Sequence, residues 1–210
     1  MPELDHLIFA SRDLAAGVAH IQQLTGAEPV PGGPHPGNGS RNELLTFDDR
    51  TYFEIIGIDP DQPDPGRPRP FGLDDLAAPK LAGYAIHPVD GESLDDVIEV
   101  MRSAGMDPGT VAEMSRRKPD GELLSWTLTR GGDSTVASDG ALPFAIDWGP
   151  TPSPATTLPS MGQLVSLTIS HPDAHVRSIA EALGVGIEVA EGPASLTARV
   201  DTPNGIVEVR

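Results

Sequence analysis

Two hydrophobic rhythms alternate along the chain, and the alternation recurs three times. Leu4-Asp5-His6-Leu7-Ile8-Phe9 is an apolar run of strand length. Leu14, Val18, Ile21 and Leu24 then recur three or four residues apart, the spacing of one buried helix face, with Ser11 as candidate N-cap and Gly26 as the stop. Glu28 to Val30 begins another extended run. The stretch from Pro31 to Asn42 is so rich in Gly and Pro that it predicts a long irregular loop, with His35, Ser40, Arg41 and Asn42 as its polar groups. Leu44 to Phe47 and Thr51 to Ile58, either side of Asp48-Asp49-Arg50, read as a hairpin. The order is βαβββ.

Residues 59–80, with Pro60, Pro63, Pro65, Pro68, Pro70 and Pro79, predict a stiff connector, after which the pattern restarts. Leu81 to His87 is a strand, and Ser93 caps a helix with Leu94, Val97, Ile98 and Met101 as its buried stripe and Gly105 as its end. Strands follow at Thr110 to Met114, Leu123 to Thr129 and Leu142 to Trp148, the first two joined by a turn at Pro119-Asp120-Gly121. A second breaker-rich connector, 149–162, leads to a third copy. It has a strand from Leu164 to Ser170, a helix opened by Pro172 with Val176, Ile179, Ala180 and Leu183 on one face and Gly184 at its end, and strands at Ile187 to Ala190, Ser195 to Asp201 and Ile206 to Val209. Pro203-Asn204-Gly205 makes the last turn. Modules are thus expected at 1–58, 81–148 and 163–210. Each leaves one sheet face uncovered by its own helix, so the expected fold class is α+β, with repeated βαβββ modules forming a cupped mixed sheet and helices on the outside. The third copy either pairs across a homodimer or serves only structurally.

Strand side chains alternate between faces, so His6 goes with Leu4 and Ile8, and Glu54 with Tyr52 and Ile56. An ionised Glu among apolar strand residues is costly unless it is hydrogen-bonded, paired or bound to a cation. A histidine, or a metal held jointly with one, would supply that. Arg116-Arg117-Lys118 is a cationic cluster whose simplest reading is a solvated hairpin tip. The alternative is that one arginine reaches the cup and holds a substrate carboxylate through two parallel bonds. Tyr52, Trp126 and Trp148 read as core or rim packing.

Charge and composition remove several function classes. A formal net charge of −17, with 14 Lys and Arg against 31 Asp and Glu, speaks against nucleic acid and anionic membrane as partners, since both are bound through clustered cations. The absence of cysteine removes disulfides, thiolate zinc sites and a cysteine nucleophile, and fits a cytoplasmic protein. No charged leader precedes the first strand and no apolar run approaches membrane-spanning length. There is no phosphate-binding loop with its Lys and Ser/Thr, and no recognisable serine-nucleophile motif.

The segments Leu4-Asp5-His6-Leu7, His35-Pro36-Gly37, Gly39-Ser40-Arg41-Asn42 and Tyr52-Phe53-Glu54-Ile55-Ile56 resemble a glyoxalase-like domain of the vicinal oxygen chelate superfamily. Ser115-Arg116, Pro119-Asp120-Gly121, Leu142-Pro143-Phe144 and Thr202-Pro203-Asn204-Gly205 extend the likeness over nearly the whole chain. The resemblance implies paired modules around a divalent metal, held by a His or Glu on the first strand and a Glu on the last strand of each, and substrates bound through adjacent oxygens. By position it gives His6 and Glu54 as ligands in the first unit. In the second, Gly83 stands in the place of His6 and Asp147 in that of Glu54; in the third, Ser166 and Glu208 do. The implied metal ligands are His6, Glu54 and either Asp147 or Glu208, completed by water or His35, with Zn, Mn, Fe, Mg and Ni undistinguished. Glu54 and Glu208 are the candidate catalytic carboxylates, and His35, Asn42 and Arg116 the candidate substrate-binding groups. The implied function is a small-molecule isomerase, lyase or ring-opening, dioxygenase-type enzyme whose ion polarises vicinal oxygens. The alternative is metal-free binding or sequestration of a small molecule in the same cup, which the missing fourth ligand at Gly83 favours.

Overall fold

The three stretches of helical rhythm are helices α1 (Leu14–Thr25), α2 (Leu94–Ser103) and α3 (Ala174–Leu183) in a computed structural model that describes residues 1–118 and 121–210. Pro119 and Asp120 of the expected hairpin turn lie outside the described residues. Asp13, rather than the expected Ser11, caps α1 by accepting from the Ala16 N–H, while the Ser11 hydroxyl donates to the Asp13 carbonyl. Ser93 and Asp96 close a capping box on α2 and so satisfy N–H groups that a first helical turn leaves unpaired. Gly26 and Gly184 end α1 and α3 in the left-handed conformation that glycine adopts without strain.

The described strands are β1 (Glu3–Ala10), β2 (Val30–His35), β3 (Ser40–Thr46), β4 (Tyr52–Ile58), β5 (Lys80–His87), β6 (Thr110–Arg117), β7 (Leu123–Arg130), β8 (Phe144–Asp147), β9 (Gln163–His171), β10 (Glu188–Glu191), β11 (Ser195–Thr202) and β12 (Gly205–Val209). The first eight form one mixed sheet in the order β2-β3-β4-β1-β5-β8-β7-β6. The first two units therefore share one internal order and meet at the antiparallel β1–β5 pair. The sheet curls until its two edges face each other: the Arg116 guanidinium on β6 donates to the Gly32 carbonyl on β2, and a Cβ at Gly33 would lie 2.7 Å from the Arg117 carbonyl oxygen.

Two expectations change. The Gly- and Pro-rich stretch is mostly strand, since β2 occupies Val30–His35 and the turn spans only Pro36 to Gly39. Its prolines are tolerated because β2 is an edge strand bonded to β3 alone, and a bulge between Pro31 and Gly33 absorbs the misfit. The third unit keeps the element order but pairs differently, as a separate sheet in the order β10-β9-β11-β12 with β9 parallel to β10. There α3 returns the chain directly beside β9, whereas α1 and α2 lead to the far edge of their units. It does not extend the cup. Instead Leu167, Ile169, Leu196, Ala198, Val200 and Val209 join one core with Leu7, Phe9, Phe53 and Ile55 of the large sheet and the stripes of all three helices. The cup is thus backed by helices and the small sheet, and its concave side is left to the site.

Alternation on β4 works as the sequence predicts. Phe53 and Ile55 enter the core behind the sheet, while Tyr52, Glu54 and Ile56 face the concave side. Among the described residues no helix is long and apolar enough to cross a membrane.

Candidate functional site

The concave side encloses a cavity of about 610 Å3, within the range of small-molecule pockets. β1 brings His6 to its wall, β2 His35, β3 Asn42, β4 Tyr52 and Glu54, and β6 Arg116. Because β4 lies between β1 and β3, Glu54 stands between a histidine on one neighbour and an asparagine on the other. Trp126, Phe144 and Trp148 supply an apolar wall, with the two tryptophan rings 5.3 Å apart.

Glu54 is the centre of the polar groups. Asn42 Nδ2 donates to its Oε1 at 2.6 Å, His35 Nε2 stands 3.6 Å from the same oxygen, and His6 Nε2 stands 3.7 Å from Oε2. The two histidine distances are too long for hydrogen bonds and leave both Nε2 atoms uncommitted. Each ring is held from behind. His6 Nδ1 lies 2.6 Å from Asp5 Oδ1, whose other oxygen accepts from Trp148 Nε1 at 3.1 Å, and His35 Nδ1 lies 3.1 Å from Ser40 Oγ. A carboxylate only accepts, so in neutral His6 the proton sits on Nδ1 and the Nε2 lone pair is turned towards Glu54. Tyr52 stacks on the His6 ring with 4.4 Å between centroids and fixes its plane.

Burial sets the charges. It holds His35 below its ordinary value of 6.5; Glu54 opposes this, while Arg116 and His6 reinforce it. It pushes Tyr52 well above the ordinary phenol range, with Asp5 and Glu54 adding to the shift. It also lowers Arg116, which Tyr52 and Glu54 hold up, and a guanidinium stays charged through such a shift. The His35 shift has a consequence for stability. A histidine whose folded pKa is depressed contributes stability that is complete above its unfolded value, about 6.5, and is lost as the pH falls below it. Thermal unfolding from pH 7.5 down to 5 is therefore expected to show a falling Tm, and His35→Gln, which cannot titrate, to flatten that fall. Equal slopes in the two proteins would contradict the assignment.

Not every predicted site residue is here. Asp147 ends β8, half-buried, its Oδ1 accepting from the Gly149 N–H at 2.7 Å, and it is not among the described wall residues. Strand register explains this. If Gly83 takes the place of His6, Ala85 takes that of Ile8; β1 sets Ile8 beside Glu54, and β5 sets Ala85 beside Phe144. Phe144, not Asp147, is thus the counterpart of Glu54. Glu208 lies on β12 of the small sheet, exposed and paired with Arg210 at 2.6 Å, remote from the cavity wall.

The second half of a four-ligand metal centre is accordingly occupied by Gly83 and Phe144, neither of which donates. Among the described residues no group of three or more His, Asp or Glu side chains is arranged to hold a metal ion. The Asn42 amide donor on Glu54 Oε1 also takes a position that a cation would contest. As placed, these side chains do not fit a divalent centre.

Several residues in and behind the wall escape sequence reasoning. Asp5 is 1% exposed, yet in a regular strand it would point away from His6; the β1–β5 register is irregular between Leu4 and His6, where the Asp5 carboxylate meets the back of the His6 ring. An acidic residue inside an apolar run was the available signal. The proline-rich connector supplies Arg67 to Phe71 to the wall and buries Leu73 completely. Phe71 and Thr135, both wall residues, have φ of 57° and 51°, left-handed values uncommon for residues with a side chain.

A family model described as "Glyoxalase-like domain" matches residues 4–184. No curated protein matches the chain. Among solved structures, a hypothetical protein from Staphylococcus aureus aligns with a TM-score of 0.60 and 14% identity, over 99% of this chain and 84% of that one. Methylmalonyl-CoA epimerase from Mycobacterium tuberculosis aligns with a TM-score of 0.43 and 18% identity, over 69% and 85%. The Streptomyces coelicolor epimerase does so with 0.46 and 20%, over 72% and 98%. At 14% identity the first of the three shows a shared fold alone.

Proposed function

We propose, for a chain that belongs to the glyoxalase-like domain family, that the cavity is the active site of an enzyme that moves a proton on a small molecule carrying adjacent oxygens, with the chain's own side chains as acid and base. One observation carries this: Glu54 faces the free Nε2 of His6 while Asp5 holds the opposite nitrogen of that ring. A buried base with an oriented partner and a cation nearby is the equipment for abstracting a proton next to a carbonyl.

In the proposed step Glu54 Oε2 takes the proton from the carbon beside the carbonyl. The C–H bond breaks, its electron pair moves to the carbonyl oxygen, and Arg116 stabilises the resulting enolate. His6 Nε2 accepts the proton across the 3.7 Å gap as the substrate settles, and Asp5 stabilises the imidazolium. Return of the proton to the other face, or to the neighbouring carbon, completes an isomerisation. The wall of Trp126, Phe144 and Trp148 keeps water away, which strengthens these charges.

The test is proton exchange in D2O followed by NMR, with phenylpyruvate and other 2-oxo acids as probes because each carries adjacent oxygens and an acidic C–H. Exchange is expected to be accelerated, to be equal before and after chelator treatment, and to fall about 100-fold in His6→Ala. Exchange lost with the chelator and restored by a divalent ion would return the metal-dependent reading. Tight ligand binding without exchange would favour sequestration.

A further inference from the structure

Arg67, Arg69 and Arg130 stand in the same cavity wall as Arg116, and Glu54 is the one carboxylate among the described wall residues. In a chain with 14 Lys and Arg and a net charge of −17, four arginines round one cavity make it locally cationic. Arg69 is paired with Asp74 at 2.5 Å. Arg67 and Arg130 are different: among the described residues neither has a carboxylate within ion-pair distance.

Both instead donate to a single neutral oxygen. Asn38 Oδ1 accepts from Arg67 Nη2 at 2.6 Å and from Arg130 Nη2 at 2.9 Å, and Arg67 Nη2 also donates to the Gly37 carbonyl at 3.1 Å. Asn38 is buried, in the turn between β2 and β3, with its own N–H bonded to the His35 carbonyl. The Gly39 carbonyl of the same turn accepts from Arg69 Nε at 3.1 Å. Two guanidiniums drawn to one amide oxygen repel each other, and burial together with Arg67 lowers the pKa of Arg130. An anion placed between them would relieve that repulsion and accept their unused N–H groups.

The geometry points to Arg67 and Arg130 as a second anion subsite, so that the substrate class is a small organic dianion: its adjacent-oxygen end at Glu54, His6 and Arg116, and a second carboxylate or phosphate-type group at the arginine pair. The orientation of the dianion rests on the proton-transfer reading, while the subsite itself does not. The β2–β3 turn that carries Asn38 would then set substrate length, because it fixes where the second charge must lie.

Calorimetric titration of the whole chain with 2-oxobutyrate, 2-oxoglutarate and a phosphono-2-oxo acid separates the cases, since the three share a head group and differ in the second charge. Each dianion is expected to bind at least about tenfold tighter than the monoanion, the value of one or two charge-assisted hydrogen bonds. Whichever dianion binds tighter names the second group. Arg67→Gln and Arg130→Gln should each remove most of the preference, and His6→Ala should leave it intact. Equal affinity for mono- and dianions, or a preference that survives both arginine variants, would overturn the subsite. Because binding needs no turnover, a dianion preference without proton exchange would refute the catalytic reading alone.

Discussion

Glu54→Gln is expected to slow proton exchange by about 100- to 10,000-fold while leaving ligand affinity unchanged or raising it. The amide is isosteric with the carboxylate, and its oxygen can still accept from Asn42 Nδ2, which lies 2.6 Å from Oε1 in the native site. The side chain therefore keeps its place on β4 while losing the ability to take a proton. Removing a negative charge from a cavity proposed to bind an anion also removes a repulsion, so KM should not rise. That separation of kcat from binding distinguishes a base from a merely structural carboxylate. Exchange within tenfold of the wild-type rate would sink the assignment of Glu54 as the base.

One residue earlier on the same strand the expected result is the reverse. Phe53→Ala should cost about 3–5 kcal/mol of folding stability, against a typical total of about 5–15, and leave the folded fraction active. Phe53 is fully buried behind the sheet, its ring 6.1 Å from that of Phe9 and 6.0 Å from that of Phe47, and it touches none of the polar groups of the cavity. Urea unfolding would show a lower midpoint at an unchanged slope. A loss below 1 kcal/mol would mean that the core closes over the gap, contrary to the close packing described.

The contrast between these neighbours was legible in the sequence, because period-two alternation alone assigns Phe53 and Glu54 to opposite faces. The same rule placed His6 with Ile8. What alternation does not supply is register. The resemblance, carried over by position, puts the counterpart of Glu54 in the second unit at Asp147; it falls at Phe144 because pairing between β5 and β8 decides it. Asp5 stood out as an acid in an apolar run, but that it meets His6 depends on an irregularity that no local pattern encodes. Proline content misled once. In β2 it marked an edge strand rather than a loop, while the connector at residues 59–80 also supplies Arg67 to Phe71 to the cavity wall, which composition did not reveal. The third unit matched the first two in element order, yet pairing, which depends on where its helix delivers the chain, put it behind the cup.

An open sheet of eight strands would present β2 and β6 as two bare edges, the usual starting point for unwanted strand-to-strand pairing between molecules. Here those edges are turned on each other, and the bond that fastens them comes from Arg116, the same guanidinium that faces Glu54 across the cavity. On the proposed reading, keeping the molecule apart from its neighbours and gripping the ligand both fall to one side chain. Selection for either role would preserve the other, and a variant that relaxed ligand choice at this position would also expose the chain to self-association.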